Sequence, residues 1–152
     1  MAPRGTCLMS LAMTKEEREA FLADTHVAVV SIADGERGPL AVPVWYAYTP
    51  GGALRFVTGG ESRKARLIRA TGRVSVCVQT ETPPYRYVTI EGPATITAPD
   101  YERDIRPTAL RYLGPQMGET YLRATAAEHA AAVLVTVKPE RWLTVDYRKW
   151  GG

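Results

Sequence analysis

Cysteine is nearly missing from this sequence: Cys7 and Cys77 are the only two. Two thiols cannot build the disulfide framework of a small secreted domain, so a reducing cytoplasm is the expected compartment. Cys77 sits in the apolar run Val74-Ser75-Val76-Cys77-Val78 and reads as a small buried hydrophobe. Histidine is equally scarce. His26 and His129 lie far apart, without the spaced Cys, Asp or Glu partners of a zinc site, and read as surface or strand-end residues. No metal centre is expected. No apolar run approaches the roughly 18 residues that span a bilayer, and the first ten residues hold no sustained apolar segment of a signal peptide. A membrane partner is therefore not expected.

Several catalytic signatures are also missing. There is no Gly-x-Ser-x-Gly elbow and no cysteine in a recognisable nucleophile setting. No Gly-Lys-Ser/Thr follows a glycine-flanked gap, which argues against nucleotide hydrolysis. Glu16-Glu17 is a carboxylate pair, but it lies at a polar helix start and reads as capping. Nothing singles out a catalytic acid or base. Excess charge is small as well: 19 Lys and Arg against 16 Asp and Glu leave a net +3. That permits an anionic ligand but falls short of the basic face of a nucleic-acid binder.

What is present is a chain of 152 residues with 45% hydrophobic content, suited to a single domain over residues 14–152 behind a flexible tail, residues 1–13. Thr14 and Glu17 form a capping-box pattern at the start of a short helix. Strands are expected over His26–Ala33, Leu40–Tyr48, Ala53–Thr58, Arg73–Gln79, Tyr85–Thr97, Ala132–Val137 and Arg141–Tyr147. A helix is expected over Arg63–Ala70. A second helical region runs from Asp100 to about Thr125, interrupted near Gly114-Pro115. Short strands, tight turns and no βαβ alternation predict an antiparallel barrel, mainly β with flanking helices.

The stretch that carries chemistry is Phe56 to Arg69. A strand ends, Gly59-Gly60 release the backbone, and a helix begins at Ser62. Helix N-termini expose unpaired N–H groups and a partial positive charge, so they attract anions and disfavour cations by up to ~1 kcal/mol each. This first turn nevertheless holds Arg63, Lys64 and Arg66. A bound phosphate would offset that repulsion, since arginine grips phosphate oxygens bidentately and lysine supplies a point charge. The same residues also suit a solvated basic helix face. Trp45, Tyr46 and Tyr87 lie on strands where they can flank a planar ring, or serve equally as core or dimer-interface anchors.

Phe56-Val57-Thr58, Ser62-Arg63-Lys64-Ala65 and Gly72-Arg73-Val74-Ser75 closely resemble the phosphate-binding stretch of the pyridoxamine 5′-phosphate oxidase-like split-barrel family. Val42-Pro43-Val44-Trp45-Tyr46, Ile90-Glu91-Gly92 and Asp146-Tyr147-Arg148-Lys149 are similar to its flavin/deazaflavin oxidoreductase branch. The resemblance implies a split β-barrel, a homodimer with cofactor at the interface, and phosphate ligands at Arg63 and Lys64. Val57 and Thr58 would run beside the cofactor. Tyr87 falls where the true oxidases place a glutamine near the ring, and the chain stops soon after Trp150, short of the oxidases' C-terminal contacts. The implied activity is hydride transfer between coenzyme F420, a deazaflavin, and a small conjugated substrate. The cofactor carries such chemistry, which fits the missing acid–base motif. An FMN-binding reductase with the same site is the nearest alternative, and a non-catalytic haem- or cofactor-binding protein is another.

Overall fold

The structure is a computed structural model that describes residues 10–150. Cys7 and most of the expected tail lie outside these residues. The tail's last residues are bonded: Leu11 O accepts from Asp146 N at 2.8 Å, and Met13 N donates to Thr144 Oγ1 at 2.9 Å. The first helix, α1 (Lys15–Ala23), has Thr14 as N-cap with the reciprocal Glu17 bond, and buries Phe21 and Leu22. Eight strands follow: β1 (Ala28–Asp34), β2 (Arg37–Val44), β3 (Ala47–Tyr48), β4 (Leu54–Gly59), β5 (Arg73–Gln79), β6 (Arg86–Thr97), β7 (Ala132–Val137) and β8 (Arg141–Asp146). Helix α2 (Arg63–Thr71) lies between β4 and β5. Helices α3 (Arg106–Ala124) and α4 (Ala126–Ala130) lie between β6 and β7.

Every strand pairing is antiparallel. The order is β2-β1-β5-β6-β7-β4-β3, with β8 also on β6. The twelve-residue β6 joins two halves. Its first half runs between β5 and β8, and its second half pairs with β7. The β7–β8 corner crosses β6 at Gly92, where a Cβ would stand 1.8 Å from the Lys138 carbonyl oxygen. Only glycine leaves room for that crossing. The result is the expected split barrel, mainly β with flanking helices and not closed.

The expected strand Leu40–Tyr48 is broken at Trp45–Tyr46. The Tyr46 N–H donates to the Tyr112 hydroxyl at 3.2 Å instead of to a neighbouring strand, and the chain passes from one half of the barrel to the other. Pro43 does lie on an edge strand, as its missing N–H requires. Within the barrel, Val30 and Ile32 from β1, Val76 and Val78 from β5, Val88 and Ile90 from β6, and Val135 and Val137 from β7 form the core. Burial alternates along the strands. This corrects the reading of Cys77: Val76 and Val78 point in, so Cys77 points out and is only half-buried.

The region before β7 is a small satellite of the barrel. A π-helical turn, Tyr101–Ile105, leads into α3, and α3 reverses direction at Gly114 (φ 80°, ψ 173°) as Gly114-Pro115 predicts. Gly118 lets the second arm lie close to Leu110 on the first, and Arg106 pairs with Glu119 across the hairpin. Ile105, Ala109 and Leu122 cluster on the outward side of β4 at Val57. Among the described residues no helix is long and apolar enough to cross a membrane.

Candidate functional site

The strand β4 ends at Gly59, and the turn to α2 is shaped by the second glycine, not by positive φ at either. Gly60 N donates to Ala131 O at 2.9 Å, and Arg69 Nη1 donates to Gly60 O at 2.7 Å. A Cβ at Gly60 would sit 2.9 Å from that same Ala131 oxygen, whereas one at Gly59 would meet nothing closer than 3.9 Å. The turn is thereby clamped to the start of β7. Ser62 then caps α2, its Oγ accepting from Ala65 N at 3.2 Å and lying 3.4 Å from Thr58 Oγ1.

Two adjoining cavities open around this turn, each of about 400 Å³. The outer one is lined by Val27, Pro43, Val44, Trp45, Lys64 and their shared neighbours. The inner one lies between β4, the Gly59–Ser62 turn and the α3–α4 region. Trp45, Val57, Thr58 and Tyr121 line both. Trp45 is held from outside the strand pair: its ring stacks on Tyr112 at 5.1 Å and 8°, with Tyr121 tilted against it at 5.4 Å. The Tyr112 hydroxyl donates to His26 O at 2.6 Å, which anchors that stack to the barrel.

The sequence-expected residues divide accordingly. Trp45, Val57, Thr58 and Lys64 meet at the outer cavity, and Ser62 lines the inner one. Arg63 does not join them: its Nη2 donates to Asp34 Oδ2 at the end of β1. Arg66 is exposed and lines neither cavity. Tyr46 takes the core-anchor role of its two expected readings and not the ring-flanking one. It is wholly buried, its hydroxyl donates to Leu22 O at 2.7 Å, and burial pushes its phenol pKa well up. Tyr87 lies on β6 opposite Val145, away from both cavities.

Sequence reasoning missed the inner cavity's contributors from residues 104–132. Asp104 is buried there and accepts from Arg103 Nε at 3.0 Å, Arg103 Nη2 at 2.8 Å and Asp100 N at 2.8 Å. The Arg103 bonds hold its carboxyl below the usual range. His129 lines the same cavity, with Nε2 3.2 Å from Thr125 Oγ1. His26 lines neither: its ring stacks on Phe21 at 4.5 Å, and burial lowers its pKa. A cation at a helix start beside a cavity is the arrangement that receives a phosphate.

A family described as pyridoxamine 5′-phosphate oxidase matches residues 14–146. The chain belongs to that family. It is a flavin-binding family that includes oxidoreductases. Among solved structures, the conserved hypothetical protein Rv2991 from Mycobacterium tuberculosis superposes with a TM-score of 0.77 at 24% identity, over 97% of this chain and 94% of that one. An F420 reductase superposes with a TM-score of 0.60 at 22% identity, over 82% and 94% of the two chains. A FAD and heme binding protein from Mycobacterium smegmatis gives 0.64 at 19%, over 88% and 71%. At these identities the likenesses show the fold alone. No curated protein matches the sequence.

Proposed function

We propose that this family member is an oxidoreductase that moves hydride between a phosphate-bearing deazaflavin, coenzyme F420, and a small conjugated substrate, with FMN in the same site as the alternative. The observation that carries this reading is Lys64 at the start of α2, lining a cavity with Thr58, Val57 and Trp45. These residues fit such a cofactor. Lys64 supplies positive charge for a phosphate, reinforced by the partial charge of the helix N-terminus. Thr58 sets a hydroxyl in the same cavity, and Val44, Val57 and Trp45 give the apolar wall that a planar ring requires. The bound ring would supply the hydride chemistry. Val44, Val57 and Trp45 would orient that ring.

A homodimer belongs to the same reading. Val27 and Pro43 line the outer cavity, and both are exposed. Pro43 is also the first residue of an uncharged row across the outer face of the sheet, so a second copy on that face would complete the cavity's wall.

The test is equilibrium binding of coenzyme F420 and of FMN to the purified protein, followed in parallel by cofactor fluorescence. Saturable binding of F420 in preference to FMN is expected. Preference for FMN names the alternative, and binding of neither at high concentration overturns the reading.

A further inference from the structure

We infer that the inner cavity is a binding site for a small planar heteroaromatic molecule that is cationic or neutral and not anionic. As a binding site it stands on its own; as the substrate's place it rests on the cofactor reading above. Its volume of about 400 Å³ suits a fused two-ring compound. Apolar side chains make up much of its wall, with Val57, Ile105 and Ala109 contributed by the satellite cluster and Trp45 and Tyr121 by the aromatic stack.

The charge on its walls is of one sign. Glu61, Asp104 and Glu128 line it, and among the described residues no lysine or arginine does. Asp104 is already neutralised by Arg103, but Glu61 and Glu128 are exposed and have no ion pair among the described residues. The outer cavity is the reverse, with Lys64 and no carboxylate. An anion is therefore drawn to one cavity and repelled by the other.

Hydrogen bonding points the same way. The Thr125 hydroxyl donates to Tyr121 O at 2.8 Å, so towards His129 Nε2 it can only accept, and that nitrogen carries the proton of the neutral ring. His129 Nδ1 is buried and has no hydrogen-bond partner among the described residues. The Thr108 hydroxyl is spent on Asp104 O at 3.0 Å. The side chains of Glu61 and Glu128 accept no hydrogen bond among the described residues, and two free carboxylates at this cavity favour a ligand that brings N–H groups or positive charge.

Calorimetric titration with 1-methylquinolinium, quinoline and 1-naphthoate tests this, three probes of one shape and three charges. Saturable binding of the first two is expected, with 1-naphthoate at least about tenfold weaker. Glu61→Gln combined with Glu128→Gln should weaken 1-methylquinolinium about fivefold and leave quinoline unchanged, because both carboxylates are exposed and screened by solvent. Thr108→Trp should fill the cavity and abolish binding of both; should that variant fail to fold, the glutamine pair still decides. The inference falls if 1-naphthoate binds as tightly as the cation, if none of the three binds, or if saturating FMN displaces them. Coenzyme F420 and FMN titrated on the same samples separate the two readings. Arene binding without cofactor binding leaves this site standing and removes the cofactor reading, while cofactor binding without arene binding does the opposite.

Discussion

Gly59 and Gly60 are identical neighbours with different duties. Only the second lies against backbone, 2.9 Å from its would-be Cβ to the Ala131 oxygen. Gly60→Ala should therefore lower stability by ~1–3 kcal/mol through overpacking, whereas Gly59→Ala should stay within ~0.5 kcal/mol; urea unfolding of the two variants measures the contrast. Lys64 and Arg63 form a second unlike pair. Lys64→Ala should weaken cofactor binding by ~1–3 kcal/mol, the range for a charge-assisted hydrogen bond. Arg63→Ala should cost less, because its guanidinium is engaged with Asp34; equal losses in fluorescence titrations would mean that Arg63 leaves Asp34 on binding. The Gly-Gly–Ser–Arg-Lys signature is readable from sequence because strand end, turn and helix cap are local. The Asp34 partner is not, since it comes from 29 residues earlier through the packing of α2 on β1.

Two short helical turns rest on buried carboxylates, and they set how the elements respond to acid. Asp104 closes the π-helical turn ahead of α3. Asp146 ends β8 and caps the 3₁₀ turn Tyr147–Lys149, accepting from Arg148 N at 2.9 Å and Arg148 Nη2 at 2.7 Å. The arginine hydrogen bonds lower both pKa values in the folded chain. A lowered folded value means that the stabilisation is present above the unfolded carboxylate value, about 3.9, and is lost as pH falls through the folded one. Stability should decline in two stages, first below about pH 6.5, where the unfolded chain protonates His26 more readily than the folded one, and then below about pH 4 as the carboxylates protonate. Asp146→Asn should cost ~1–3 kcal/mol at neutral pH and flatten that acid limb, as denaturant midpoints across pH would record. The strands themselves are plain in the sequence: Arg73–Gln79 and Ala132–Val137 begin and end where the β-branched alternation does. The break at Trp45–Tyr46 is not, because the group that takes the Tyr46 N–H comes from Tyr112, 66 residues away. The inner cavity is hidden for the same reason, being made by folding residues 104–132 back onto β4 with no motif spacing to announce it.

At the scale of the whole molecule, the outer face of the sheet carries one uncharged row. The register aligns Pro43 with Val29, Val29 with Cys77, Cys77 with Thr89, and Thr89 with Leu143. Leu143 is 60% exposed and Val29 39%. Glu91 and Arg141 mark the charged margin one row further along. A strand face this apolar is costly to leave in water at ~25 cal/mol per Å², and contiguous apolar surface of this kind marks an interface. Because a two-fold dimer presents the same patch from both copies, one change enters the interface twice. Leu143→Glu should leave the barrel folded, since the side chain points to solvent in the single chain. It should also move the protein, in sedimentation equilibrium, from twice the mass of one chain to that mass. The outer cavity shares Pro43 with this row, so the same variant should weaken cofactor binding although position 143 lines neither cavity. Loss of the dimer with unchanged cofactor affinity would mean that each chain holds its cofactor alone. Retention of the dimer would move the interface to another face.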